Sequence, residues 1–312
     1  MRAFIFPGQG SQHVGMGQGL AGTYPAARAV FEEVDSVLGQ NLSKLMFEGP
    51  AEELILTENS QPALLAVSIA IIRTLEAKGF MLPDLADYVA GHSLGEYSAL
   101  TAAGSLTLSN AATLLKKRGQ AMQRAVPVGE GAMAALLGLD FEVAREVAEE
   151  AAEGQICTVA NDNAPGQVVV SGHKGAVIRA IEIAKEKGAR RGLLLPVSAP
   201  FHCPLMEQAA EEMGKALAVV DLRAPAMPVI SNVTACPVTD DEEIRHLLVQ
   251  QITGVVRWRE SILRLSEIGV IQLVECGAGK VLSGLGRRID PSLGVTNIES
   301  PDDMDYFIKN HI

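Results

Sequence analysis

The sequence predicts an α/β chain with a smaller ferredoxin-like α+β unit inserted into it, and two observations predict this. In Tyr88-Val89-Ala90-Gly91-His92-Ser93-Leu94-Gly95-Glu96-Tyr97 a serine stands between two glycines where an apolar run gives way to a helix-forming one. That is the sequence form of a nucleophile elbow, the sharp turn from a buried strand into a helix. Between Pro127 and Val197 the pattern runs strand, helix, strand, strand, helix, strand, the split unit of a ferredoxin-like domain. Residues 1–126 and 198–312 are therefore expected to form one large domain, and 127–197 the insert.

Residues 3–6 form a short apolar strand ending at Pro7, and Pro7-Gly8-Gln9-Gly10-Ser11-Gln12 follows as a loop whose bare backbone can approach a ligand. It is neither a dinucleotide fingerprint, because the third glycine position holds His13, nor a phosphate loop, because no Gly-Lys-Ser/Thr follows. It reads as a plain turn or as a loop that gives a backbone N–H to an active site. Residues 24–38 and 51–56 have helical spacing. Gln61-Pro62 is read as opening a further helix that runs to residue 75, the proline suiting a first turn. This helix is apolar nearly all round, hence buried; Gln61 at its mouth is either a cap or a site residue.

At the elbow, residues 86–90 end a buried strand and 94–103 form a helix whose Ala99, Ala102 and Ala103 allow close packing on the sheet. Ser93 is expected in a strained conformation with its hydroxyl outward at the helix N-terminus, where free N–H groups can receive an oxyanion. The same residues also fit a glycine-rich turn with an ordinary N-cap serine. Residues 110–125 are helical, with Leu114, Leu115, Gly119 and Met122 inward. Lys116-Lys117-Arg118 on that helix reads as a solvated face. Arg118, beside Gly119 and apolar neighbours, can instead turn inward, where an unpaired guanidinium would need a carboxylate.

Within the insert, strands are expected over 131–139, 156–160, 167–171 and 190–195, helices over 141–152 and 174–187, and a turn at 161–166. Arg190 and Arg191 read as surface charges or as holders of a phosphate. Pro196 to Pro204 is a proline-punctuated loop that fixes where His202 points and feeds a helix over 205–219. Strands at 227–231 and 270–275 and helices at 241–251 and 255–267 follow. Gly277-Ala278-Gly279-Lys280 then turns into a helix over 281–289. A Walker motif fails here, since Val274 stands where its first glycine belongs.

A formal net charge of -11 argues against a general nucleic-acid or anionic-membrane partner, so an anionic ligand must meet a local basic patch. Cys157, Cys203, Cys236 and Cys276 have no paired spacing, which fits reduced thiols better than a metal site or a disulfide framework. Without a secretory h-region or an apolar run of membrane-spanning length, the expected location is cytoplasmic. For Ser93 to attack, a base must take its proton. Of six histidines, His92 adjoins the serine but points away; His13 and His173 lie in glycine-rich loops, His246 in a charged helix, and His311 where the chain is expected to fray. His202, on its rigid loop, is preferred, though spacing alone also allows a structural histidine. The Ser, Asp/Glu, His order of an ordinary α/β-hydrolase is not cleanly present. An uncharged acceptor behind the base is permitted by the logic of the triad. Cys203 as nucleophile is disfavoured by its place beside the presumed base.

Phe6 to Gln12, Gln61-Pro62-Ala63, Gly91 to Tyr97, the Arg118 helix, Pro165-Gly166-Gln167, Val197 to His202 and Gly277 to Leu282 occur in order over nearly the whole chain. Together they resemble the malonyl-CoA:acyl-carrier-protein transacylases of fatty-acid synthesis. The resemblance implies an α/β-hydrolase-like core with a parallel sheet, carrying the ferredoxin-like insert. It implies Ser93 as nucleophile, His202 as general base, the Gln251 backbone carbonyl orienting His202, and the N–H groups of Gln12 and Leu94 as oxyanion hole. It further implies that Arg118 binds the malonyl carboxylate, with Gln61 and Phe201 beside the substrate. Phe201, where some members have serine, is expected to narrow the pocket; Ala278 replaces a common proline. The partners implied are malonyl-CoA and an acyl carrier protein, with no cofactor and no metal, and a monomer is expected. Lys116, Lys117, Arg190 and Arg191 are candidates for contact with coenzyme A or carrier protein. Serine thioesterases or esterases, a transacylase of a polyketide or malonate decarboxylase system, and a binding-only scaffold with a dead elbow are the alternatives.

Overall fold

The computed structural model describes residues 1–197 and 199–312. Ser198, where the reading above places the return to the large domain, lies outside the described residues. The strands are β1 (Arg2–Phe6), β2 (Tyr88–Gly91), β3 (Gly131–Leu137), β4 (Cys157–Ala164), β5 (Gln167–His173), β6 (Arg191–Leu194), β7 (Val229–Ile230), β8 (Pro237–Val238), β9 (Gln272–Cys276) and β10 (Gly294–Ile298). They form two sheets. One has the order β10-β9-β1-β2-β7-β8, parallel throughout except for the short edge strand β8. β1 is buried from Ala3 to Phe6, as a strand covered on both faces must be. The other sheet is antiparallel, β4-β5-β3-β6, with the helices Phe141–Ala152 and Lys174–Glu186 packed against it. That order is the ferredoxin-like arrangement expected for the inserted segment.

In the parallel sheet, the chain leaves β1, β2, β7 and β9 at the same end, so four loops meet there, as ligand-binding loops do in open α/β sheets. The helix Leu108–Ala125 packs against the long helix Thr57–Ala77, and the approach is set at Gly119. A Cβ there would lie 2.6 Å from the Glu58 Cα and 2.7 Å from the Thr57 carbonyl oxygen.

Three expectations need correction. The long helix begins at Thr57 and continues to Ala77, so Gln61 is one turn inside it and Pro62 lies within it instead of opening it. The first four N–H groups of a helix have no intrahelical partner anyway. Pro62 comes two residues later and forfeits one further bond, in a helix whose buried residues continue to Leu75. Residues 161–164 are not a turn but the end of β4, with the ladder irregular at Val159/Asn161 and Asp162/Ala164. Tertiary partners override turn propensity here. Val256 pairs with this strand from outside the insert, and the Asp162 carboxylate meets Arg259 at 2.9 Å. His311 does not fray: it ends the helix Pro301–His311, stacks on Phe307, and its carbonyl accepts from Arg2. Sequence periodicity does not reveal that helix or β10, although Ser300 and Asp303 form a capping box at the helix start.

Candidate active site

Ser93 sits at the end of β2 with φ +53°, a left-handed conformation that a residue with a Cβ rarely adopts. The flanking glycines are required by contact. A Cβ on Gly91 would lie 1.9 Å from the Gly95 carbonyl, and one on Gly95 would lie 2.2 Å from the Phe6 carbonyl oxygen. From the end of β7, Asn232 braces the turn: its Oδ1 accepts the Ser93 N–H at 2.7 Å and its Nδ2 donates to the Gly91 carbonyl at 2.7 Å. The helix Gly95–Ala102 starts directly behind.

The Ser93 Oγ is 2.8 Å from His202 Nε2, and His202 Nδ1 is 2.8 Å from the Gln251 carbonyl oxygen. A carbonyl can only accept, so Nδ1 carries the hydrogen and Nε2 is left to accept the serine proton. Burial, helped by the nearby Arg118 charge, pushes the His202 imidazole down to about 3, so it stands neutral with Nε2 free of a proton. His202 also has a positive φ, +56°.

Arg118 is buried, as its place beside Gly119 suggested. Its Nη1 donates to Gln61 Oε1 at 2.7 Å, and its Nη2 to Ser93 Oγ at 3.0 Å and Gln251 Oε1 at 2.9 Å. Those bonds leave the buried Nε–H without a protein acceptor among the described residues. The guanidinium overlies the Tyr97 ring at 5.8 Å. Gln61 is held in turn by Thr57 Oγ1 at 2.8 Å, and Thr57 reaches Gln9 at 3.0 Å. The Gln251 side chain faces the other way too: its Nε2 donates to the Ser93 carbonyl at 3.0 Å and to Glu96 Oε2 at 2.7 Å.

Around Ser93 and Arg118 lies a pocket of about 260 Å³. Gln12 and Leu94 both line it, and the N–H of neither donates to a protein acceptor among the described residues. The loop after β1 comes alongside the elbow at Gly8, where a Cβ would lie 2.6 Å from the His92 carbonyl oxygen. Phe201 is buried in the pocket wall, and Asn161 and Asn163 reach the pocket from β4. His92 points away from the serine, its Nε2 2.8 Å from Asn163 Oδ1. The Cys203 thiol donates to the Pro200 carbonyl and is pushed up by burial, an inert setting.

The structure does not bring the basic candidates to the pocket wall. Lys116 is occupied, its Nζ 2.9 Å from Gln40 Oε1, 3.1 Å from Asn59 Oδ1 and 3.3 Å from Glu58 Oε2. Lys117, Arg190 and Arg191 are exposed and lie outside the pocket lining. Asn232 and the carboxyl of Glu96 escape sequence reasoning. Asn232 had one available signal, a polar residue just past an apolar strand at the end of the sheet that carries the elbow.

An elbow serine with a neutral base serves hydrolases and transferases alike, but a buried guanidinium hydrogen-bonded to the nucleophile has little use in attack on an uncharged ester. The class this fold and site define is a serine enzyme of acyl transfer whose acyl group carries its own anion. Residues 3–283 match the acyl transferase domain family, and the chain belongs to that family. It is 46% identical over 308 residues to the malonyl CoA-acyl carrier protein transacylase of Bacillus subtilis (strain 168), covering 98% of this chain and 96% of that one. It is also 46% identical over 302 residues to the protein of that name in Escherichia coli (strain K12), covering 97% of each. Among solved structures it is similar to the acyl-carrier-protein-S-malonyltransferase of Bartonella henselae, with a TM-score of 0.97, 52% identity, and coverage of 99% of this chain and 98% of that one. A malonyl-transacylase in complex with a type II PKS acyl-carrier protein matches with a TM-score of 0.96 and 43% identity over 99% of each chain.

Proposed function

We propose that the chain transfers malonyl from malonyl-CoA to the phosphopantetheine thiol of an acyl carrier protein of fatty-acid synthesis, through an ester on Ser93. His202 takes the serine proton as Ser93 attacks the thioester carbonyl, and gives it to the departing coenzyme A sulfur; the second half-reaction runs the same steps with the carrier thiol as attacker. The N–H groups of Gln12 and Leu94 receive the oxyanion of each tetrahedral intermediate. Gln251 keeps the imidazole tautomer through its carbonyl and, with Gln61, aims the Arg118 fork.

The observation that carries this reading is the bond from Arg118 Nη2 to Ser93 Oγ at 3.0 Å. A guanidinium one hydrogen bond from the nucleophile supports the reading of Arg118 as receptor for the distal carboxylate of a short 1,3-dicarbonyl acyl group. A malonyl carboxylate that takes the fork draws it off the hydroxyl and leaves Oγ to His202. The test is a rapid quench with labelled malonyl-CoA followed by peptide mapping. A burst of label on Ser93, chased onto carrier protein and absent in Ser93→Ala, is expected; label on Cys203, or release only as free malonate, would contradict the reading. A polyketide carrier protein is the second acceptor to include, because a solved transacylase of nearly the same fold is bound to one.

A further inference from the structure

Glu96 is a buried acid that the transfer chemistry does not use. It lies on the elbow helix with 3% of its surface exposed, and its Oε2 accepts from Gln251 Nε2 at 2.7 Å and from the Asn232 N–H at 3.2 Å. Gln251 Oε1 in turn accepts from Arg118 Nη2 at 2.9 Å. One amide thus joins the carboxyl to the guanidinium, its dipole aligned with positive charge at the oxygen and negative charge at the nitrogen. The other groups facing this pair carry no opposing charge. Tyr97, from the same helix, is held un-ionised, burial pushing its phenol up to about 12. His202 is neutral, Asn232 and Gln251 are amides, and Arg118, from the helix Leu108–Ala125, is the one charge that acts on the Glu96 carboxyl.

We propose that Glu96 is the resident counter-charge of Arg118 and that it takes up a proton from solvent when the carboxylate of an acyl group occupies the guanidinium. The inference rests on the function proposed above. A second carboxylate on the guanidinium leaves one negative charge unbalanced, and it falls on Glu96, whose other partners are the uncharged amides of Gln251 and Asn232. Burial, against the bonds from Gln251 and Asn232 and the Arg118 charge, already raises the Glu96 carboxyl to about 7. In the empty enzyme it is therefore mostly ionised at pH 8, and a second anion raises it further. Protonated Glu96 still accepts from Gln251 through its carbonyl oxygen, so the amide that aims Arg118 keeps its direction.

The transfer itself conserves protons: the serine O–H and the C–S bond break, the ester C–O bond and a thiol S–H form, and His202 is returned neutral. Any net uptake thus belongs to a group outside the reacting atoms. Acetyl-CoA releases the same thiol but brings no carboxylate, so it is the internal control. Since the raised carboxyl must be protonated in the loaded site, malonyl recognition weakens as pH rises through the value of the free enzyme.

The experiment is single-turnover acylation of the full chain in weak buffer with a pH-indicator dye at pH 8, using malonyl-CoA and acetyl-CoA, with the ester on Ser93 counted in parallel. Up to about one proton per malonyl ester is expected to disappear beyond the acetyl value. The malonyl-to-acetyl ratio of kcat/KM should fall above pH 7, by at most about tenfold per pH unit. Glu96→Gln keeps an acceptor for Gln251 Nε2, and should abolish both the excess proton and the slope. Equal proton counts for the two substrates in the wild type overturn the inference without any variant, and an excess proton that survives in Glu96→Gln assigns it elsewhere. Absence of any ester on Ser93 would instead overturn the proposed function.

Discussion

Arg118 holds Ser93, Gln61 and Gln251 at once, and its buried Nε–H has no protein acceptor among the described residues. A guanidinium placed this way discriminates by what it lacks when the wrong substrate is bound. A charge-assisted bond contributes about 1.5 to 3 kcal/mol net, so Arg118→Ala should lower kcat/KM for malonyl-CoA by roughly 10² or more. Acetyl transfer should fall far less or rise, and Arg118→Lys should recover only part of the malonyl preference, since an ammonium cannot reproduce the paired bonds of the fork. The check is the ratio of the two specificity constants in wild type and both variants; a proportional fall for both substrates would assign Arg118 to support of the fold. The inward turn of this residue was legible from Gly119 next to it. The fate of Lys116 was not, because its partners Gln40, Asn59 and Glu58 come from a stretch of chain more than fifty residues away.

The elbow is an element whose two glycines have different neighbours but the same reason. Gly91→Ala should drive a methyl into the carbonyl of Gly95, and is expected to cost at least about 10²-fold in the Ser93 burst together with a lower Tm. Gly284 is the matched control. It lies inside the helix Val281–Ile289, where an added Cβ would meet nothing within 4 Å among the described residues. Gly284→Ala should therefore raise stability by about 0.5–1 kcal/mol and leave the burst intact, as thermal melts and quench would show. Sequence periodicity located this helix, the elbow and the six elements of the insert, since each has strong spacing and a turn residue at its margin. It failed where distant contacts decide the outcome. Val256 and Arg259 keep Asn161 to Ala164 extended although the Asn-Asp-Asn run there favours a turn, and the helix around Pro62 tolerates a proline because burial continues on both sides of it. Within the site, Ser93, His202 and Arg118 were legible from local context, whereas the brace from Asn232 requires β7 to lie beside β2, a fact of sheet order that no local pattern carries.

At the scale of the whole molecule, a net charge of -11 sets a problem for docking any carrier protein that is itself acidic. Arg190 and Arg191 are exposed at the start of β6, whose continuation through Leu195, Pro196 and Val197 forms part of the pocket wall. Charge reversal of this pair should raise KM for the carrier protein more than it lowers kcat, with the wild-type KM rising as salt is added; a KM unmoved by salt would count against electrostatic docking. The same strand has a second bearing. His202 is delivered by the segment through which the chain returns from β6, whereas Ser93 is set by the parallel sheet, and the two sheets are tied by Asp162 to Arg259, Asn163 to His92 and Arg288 to the turn at Pro165. The reactive pair is thus held from two sides, the serine by the elbow and the histidine by the Gln251 carbonyl, which the chain supplies 158 residues after the serine. A chain cut short of Gln251 therefore carries the serine without an oriented base.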